Sequence, residues 1–528
     1  MGCICSCLLN PNRAANMAPK RLTAVTWNIA AINNNPFEYW LGKHPDPMYE
    51  RLMSGVEQFI SAPGEKDVAV SSIFSEAMWC ELKQVMLTQS WAGIEGTEQR
   101  WRSDFSRRRI ISEFLCDRSI GDKRLTSLPD RVTNSISVAA GGVVNRPTVV
   151  SNFSGEMKNL SSWWAAWKRF MFEEPVQVKE GKKLPCELLF KINRAKYPEV
   201  TEEEEAISIP LQLLALAIFD AILLHVVDSV MPGGAWQELK LGIVSALLAT
   251  KRERTAEILA TQYADADVCF VQEADLAFIT FAEARFKGKY TVLRPHVLSK
   301  AQQNSLILLR NDVFDASSVV DCSADAMSTL GDQPVSDGDL LAVRVDGVDG
   351  TKYFLASFHG DTNGLASPKV LEALHLLCAS TPGRTPLWGM DANTHKVGSK
   401  KAQGFDEFVA LFTQLGYASC WATSATGATN HTTFNARTYL QAQLQKAVRS
   451  ADVHSASSSA AVDKNPKDFV LFDCAAFSIE ETLKDNTGCR EFIDNICFPT
   501  LDFPSDHAVV KTVLLPRGSQ AHGQQTQS

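Results

Sequence analysis

Residues 268–273 read Val-Cys-Phe-Val-Gln-Glu, an apolar run that ends on an amide and a carboxylate. β-branched and aromatic residues packed this densely specify a strand rather than a helix turn. Ahead of the run, Arg254 to Tyr263 carries apolar residues at Ala256, Ile258, Leu259 and Ala260, a helical spacing. A second run of the same quality stands at Leu22–Ala31 (LTAVTWNIAA). Further strands are expected at Leu306–Leu309, Leu340–Val345, Tyr353–Phe358, Leu387–Gly389, Phe469–Phe472 and Ala508–Leu515, with helices at Pro368–Ala379 and Phe405–Leu415. Strands mixed with intervening helices predict an α/β protein of layered sheets.

The apolar strands share a second property: polar or ionisable residues stand at their ends. Asn28 closes TWN, Glu273 closes VCFVQE and His359 follows FLASF. Asp391 and Asn393 follow PLWGM, Asp468 opens DFVLF, and Asp506 and His507 precede AVVKTV. Carboxylates bind a hard cation through oxygen, and the cation neutralises phosphate charge. A histidine oriented by an aspartate handles protons, while a second carboxylate positions water. Any one of these residues alone reads as an ordinary strand end. Their joint occurrence points to metal-assisted phosphate-ester hydrolysis.

In this order the motifs TWNI, FVQE, SFHG, GMDAN, KDFVLF and SDH resemble the endonuclease/exonuclease/phosphatase superfamily, the DNase-I-like fold. The resemblance covers roughly residues 20–31 and 250–515. It implies a four-layer α/β sandwich and a divalent cation, usually Mg2+, with Mn2+ as the alternative. By this likeness Glu273 is the main metal ligand, aided by Asn28 and Asp506. Asp391 aligns or deprotonates the attacking water, and Asn393 hydrogen-bonds the phosphate. His507 is the catalytic imidazole, held by Asp468, and His359 sits on the phosphate or leaving-group side. Abasic-site endonucleases place a tyrosine there, so His359 speaks against repair.

Two departures from the family pattern stand out. A single helix usually joins the first motif to the glutamate, whereas here residues 32–249 intervene as a large, mainly helical insertion. The Cys-Asp-Arg type motif of the inositol-polyphosphate 5-phosphatase branch is missing. The segment Thr432–Thr438 matches a stretch that lines the substrate groove in the family, which makes Arg437 a candidate phosphate contact; a plain surface arginine is the other reading.

The 528-residue chain is 45% apolar with a net charge of -8, which excludes disorder and makes no whole-chain case for a nucleic-acid binder. Its 13 cysteines are scattered without paired zinc-ligand spacing, which fits a reducing compartment. Within the insertion, residues 100–196 hold 19 Lys and Arg against 10 Asp and Glu. Trp101, Phe105, Trp163, Trp164, Trp167, Phe170 and Phe172 are interleaved with them, either as the core of a helical subdomain or as a phosphate-binding patch. Arg107, Arg108 and Arg109 are the exposed candidates for such a patch.

At the N-terminus, Gly2 and Ser6 fit the pattern for N-myristoylation, and Cys3, Cys5 and Cys7 offer thiols for palmitoylation. One acyl chain holds a protein only marginally, so two signals are expected together. Residues 1–19 then form a lipidated linker and 516–528 a disordered tail. The run Ile207–Met231 is long enough to span a bilayer, but Gln212, Asp220, His225 and Asp228 argue for a buried helix. The expectation is a phosphoesterase anchored on the cytoplasmic face of a membrane. Its substrate is a phosphorylated lipid or a nucleic acid; a non-catalytic membrane-anchored scaffold on the same fold is the alternative.

Overall fold

The computed structural model describes residues 20–30, 33–296, 298, 303–421, 430–454 and 462–517. Gly2, Cys3, Cys5, Cys7 and the tail beyond 517 lie outside the described residues. The chain divides into two compact units, one of residues 1–32, 248–435 and 463–528, the other of 33–247 and 436–462.

In the first unit, β1 (Leu22–Asn28) is buried along its whole length. β2 (Val268–Ala274) lies parallel beside it, with Asn28 opposite Gln272. Burial on both faces is why these two strands read as continuous apolar runs rather than alternating ones. Further along the chain come β3 (Tyr290–Leu293), β4 (Asn304–Arg310), β5 (Phe314–Asp321), β6 (Leu340–Gly347), β7 (Lys352–His359) and β8 (Thr385–Asp391). β9 (Tyr417–Ser419), β10 (Asp468–Asp473), β11 (Phe477–Asp485) and β12 (Val509–Pro516) follow. Two six-stranded mixed sheets result, ordered β11-β12-β1-β2-β4-β3 and β9-β10-β8-β7-β6-β5.

The sheets face one another through β1, β2, β7 and β8. Phe270, Leu355, Trp388, Phe469 and Leu471 are among the buried residues of the core they share. On the first sheet, α1 (Lys251–Thr261) packs on α2 (Leu276–Arg285), and α2 on β3. On the second, α3 (Ser323–Ser328) covers β6 and touches α4 (Ser367–Ser380), which meets α5 (Phe405–Gln414) above β9. The architecture is the four-layer α/β sandwich expected from the motifs.

Strand direction then collects the polar strand ends. β1 and β2 are parallel and finish on Asn28 and Glu273; β7 and β8 are parallel and finish on His359 and Asp391. β10 runs antiparallel to β8 and starts with Asp468 opposite Asp391. β12 runs antiparallel to β1 and starts just after His507. C-terminal ends of parallel strands and N-terminal ends of antiparallel ones fall on one edge.

The second unit is mainly helical, as expected for the insertion, and also takes in residues 436–462. The apolar segment forms the helix Ser208–Val230. It is long and apolar enough to cross a membrane by length and composition, yet most of it is buried inside the protein. Asp220, fully buried on it, pairs with Arg146 Nε at 2.8 Å and accepts from Thr148 Oγ1 (2.6 Å) and Trp167 Nε1 (2.9 Å). A buried charge persists only when paired in this way. Trp101, Phe105, Trp163, Trp164, Trp167, Phe170 and Phe172 are all buried, which settles them as core residues. Of the three candidate surface arginines, Arg108 is tied to Asp104 and Asp117, while Arg107 and Arg109 are exposed.

Candidate active site

Glu273 ends β2 with a left-handed backbone (φ 57), and the pairing of β2 with β4 shifts register between Val271 and Ala274. A bulge re-aims the side chain it carries, and a non-glycine residue held at positive φ stores strain that the surrounding sheet must sustain. Glu273 Oε1 accepts from Asn28 Nδ2 at 3.0 Å. The same Asn28 amide donates to Asp391 Oδ2 at 2.8 Å, and its own oxygen accepts from the Ala30 amide. Asn28 therefore presents its N–H side to both carboxylates and fixes their spacing.

Asp391 is fully buried at the centre of the group. Its Oδ2 lies 3.8 Å from His359 Nε2 and 3.7 Å from His507 Nε2. Its other oxygen accepts from the Asn393 amide at 2.9 Å. Asn393 has a left-handed backbone (φ 49), and its side chain donates to the Gly360 carbonyl (3.0 Å), bracing the turn after β8. His359 Nε2 also stands 3.2 Å from Glu273 Oε1. Burial disfavours the charged imidazole, but the Glu273, Asp391 and Asp339 carboxylates together raise the His359 pKa.

His507 Nδ1 bonds to Asp468 Oδ2 at 2.9 Å, leaving Nε2 to face Asp391. Burial again opposes the cation, yet the Asp468 and Asp391 charges hold the imidazole up at about 10. The backing of this pair was not read from the sequence. Thr432 Oγ1 donates to Asp468 Oδ2 (2.5 Å), and Ser505 Oγ accepts from the His507 amide (3.0 Å) while donating to the Asn28 carbonyl (2.6 Å). Ser505 lies inside the SDH motif, so its position was visible and its task was not.

Two buried lysines were likewise missed. Lys467, beside Asp468, pairs with Asp463 at 2.7 Å; burial opposes its charge, but Asp463 and then Asp391 raise its pKa. Lys251, at the start of α1, is pushed down to about 8 by burial, against the pull of Asp506 and Glu273. Lysines flanking an acidic cluster offset its self-repulsion.

Glu273, His359 and Asp391 offer ligand atoms within 4.8 Å of one another, and so do Asp391, Asp468 and His507. Asp506 belongs to neither group. It is half-buried, its Oδ2 lies 3.5 Å from Asn435 Nδ2, and burial together with the Glu273 charge raises its pKa against the pull of His507. Carboxylate oxygens from Glu273 and Asp391, with Asp506 in electrostatic range, form a donor set that suits a hard divalent cation. Arg437 is part of the second unit, where it pairs with Glu38 and lies over the Tyr39 ring at 5.4 Å.

Residues 67–241, within the second unit, match the family model of a domain of unknown function (DUF8234). No curated protein matches the chain. Solved structures similar to it include D. rerio TDP2 complexed with single strand DNA product, at 14% identity and a TM-score of 0.34, covering 51% of this chain and 95% of that one. The human Nocturnin catalytic domain with bound sulfate anion is similar at 13% identity and a TM-score of 0.33, covering 50% of this chain and 86% of that one. An endonuclease/exonuclease/phosphatase family protein from Bacteroides thetaiotaomicron is similar at 15% identity and a TM-score of 0.31, with 50% and 88% covered.

Proposed function

We propose that this chain is a divalent-cation-dependent phosphoesterase. The observation that carries the reading is the buried Asp391 carboxylate, within 3.8 Å of two imidazoles and linked to Glu273 through Asn28. His507, held at Nδ1 by Asp468, presents Nε2 where a proton can be given or taken. Asp391, fixed by Asn28 and the Asn393 amide, is placed to orient a water for attack on phosphorus. His359, whose Nε2 lies 3.8 Å from Asp391 Oδ2 and whose pKa is raised, would face the phosphate oxygens as a donor. A cation held by Glu273 and its neighbouring carboxylates would neutralise phosphate charge and steady the leaving oxygen.

The finer reading is that the enzyme acts at a membrane. Gly2 with Cys3, Cys5 and Cys7 supports dual acylation and attachment to a cytoplasmic leaflet. The substrate would then be a phosphorylated lipid or a nucleic acid, with Mg2+ or Mn2+ as the cation. The test is hydrolysis of bis(p-nitrophenyl) phosphate, p-nitrophenyl phosphate, a phosphoinositide and an oligonucleotide, with either metal and with chelator. Glu273→Gln is expected to lower turnover by about a hundredfold or more. Near-normal turnover of Glu273→Gln at saturating metal would remove Glu273 as the principal ligand. Failure to hydrolyse any member of the panel would favour the scaffold reading.

A further inference from the structure

Beside the site, the His431 ring is almost fully buried, 5% exposed, and its Nε2 has no hydrogen-bond partner among the described residues. It packs edge-on against Phe434 and Phe492, with ring centroids 6.3 and 5.3 Å away. Three lysines converge here. Lys464 Nζ lies 4.4 Å from the Phe434 centroid, and Lys484 Nζ lies 3.8 Å from the Phe492 centroid. Lys396, exposed on the loop after β8, is anchored through its amide to Asn465 Oδ1 at 2.9 Å. All three act on His431 electrostatically. The Asp494 carboxylate offsets two of them, Lys464 and Lys484.

We propose that Lys396, Lys464 and Lys484 form a second anion site, which takes a phosphate of the substrate other than the one hydrolysed. The inference rests on the phosphoesterase reading and goes beyond it by naming a substrate class, esters that carry more than one phosphate. Gathering three ammonium groups costs free energy unless an anion joins them. Lys484 is pushed down to about 8 mainly by burial, with the Lys464 charge partly cancelling the pull of Asp494. His431 is pushed down to about 3 by burial and the lysines, so its imidazole is neutral and adds no charge to the cluster. The cluster is also coupled to the reacting centre. Thr432 bonds to Asp468, Thr433 bridges to His507, and Asn465 accepts from the Thr432 amide while holding Lys396.

Two sources supply such a ligand, a nucleic-acid strand and an inositol-phosphate headgroup. Calorimetric titration of the full chain with a short thymidine oligonucleotide and with a soluble inositol trisphosphate distinguishes them and needs no turnover. Combining Lys396→Met, Lys464→Met and Lys484→Met keeps the aliphatic stems over the rings and removes the charge. The triple variant is expected to bind whichever probe the wild type prefers about tenfold more weakly, and to lose about two units of log–log salt slope. Its kcat on bis(p-nitrophenyl) phosphate, which has a single phosphate, should not change. If the triple variant does not fold, Lys396→Met alone, exposed and outside any packed strand, should weaken binding about threefold. Arginine at the same three positions should restore it. Wild-type chain that binds neither probe, or a neutralised variant that binds as well as wild type, overturns the proposal whatever the hydrolysis assay gives. Charge-dependent binding without hydrolysis of any substrate would leave the anion site standing and remove the catalytic reading.

Discussion

The Thr432 hydroxyl makes three hydrogen bonds at once. It donates to Asp468 Oδ2 (2.5 Å) and accepts from the amides of Lys467 (3.0 Å) and Asp468 (3.1 Å). Asp468 is therefore held on two sides, by Thr432 and by His507, while its Oδ1 has no partner among the described residues. A buried carboxylate with one oxygen unpaired is free to rotate if its other restraint is lost. Thr432→Val is expected to lower kcat about tenfold with little change in KM, since the His507 imidazole loses its fixed orientation while the metal ligands stay. Thr432→Ser, which restores the hydroxyl, should recover most of the loss. A valine variant with wild-type kcat would show that Asp468 needs no support beyond His507.

At the level of elements, β8 approaches β2 across the sandwich at Gly389. A Cβ built there would sit 2.3 Å from Phe270 Cβ, so the two sheets meet closely only because the side chain is absent. Gly389→Ala should cost about 1–3 kcal/mol, seen as a lower Tm of the first unit. Activity should fall with it, because β8 carries Asp391 and β2 carries Glu273. In the second unit, the helix Ala235–Val244 buries Lys240, whose ammonium donates to the Thr148 carbonyl at 2.9 Å. Burial lowers its pKa to about 7. The unfolded chain holds that proton up to the ordinary lysine value and the folded chain releases it near neutrality, so this group makes stability rise with pH across that window. Lys240→Met should therefore stabilise the unit by about 1 kcal/mol or more below pH 7, and the advantage should shrink as the pH climbs toward 10. Unfolding followed by tryptophan fluorescence at several pH values measures this. A pH-independent difference would mean Lys240 stays charged in the fold.

At the scale of the whole molecule, the proposed attachment rests on Gly2, Cys3, Cys5 and Cys7, which lie outside the described residues. Gly2→Ala should move the protein from the membrane fraction to the soluble one, since N-myristoylation needs that glycine. Replacing Cys3, Cys5 and Cys7 by serine should leave attachment weak and reversible, about what one myristoyl chain supports. Pelleting of Gly2→Ala as strong as wild type would transfer the anchor to another surface. Arg108 is a poor candidate for that surface, because its guanidinium is already engaged by Asp104 and Asp117.

Reading VCFVQE and LTAVTWN as strands succeeded because β1 and β2 are buried on both faces, where most positions are apolar. Within the two six-stranded sheets, the strands that went unread were β3, β5, β9 and β11, their four edges. Edge strands carry polar positions on their solvent sides, and Phe314–Asp321 and Phe477–Asp485 expose residues along their length. The strand-end residues were legible one by one, since chemistry-bearing types recur at apolar boundaries. What they do together was not. The positive φ at Glu273 comes from a bulge in its pairing with β4, and the direction of the Asn28 amide comes from Glu273 and Asp391, distant in sequence. Thr432, Lys251 and Lys467 look like ordinary surface types until the fold buries them against the carboxylates. Arg437, a candidate phosphate contact or a plain surface arginine by sequence, pairs with Glu38, a contact no local pattern encodes. Local composition determined which segments are strands and which end in chemistry. Contacts between residues far apart in the chain decided orientation, charge state and partner, because each of those is set by what a side chain is buried against.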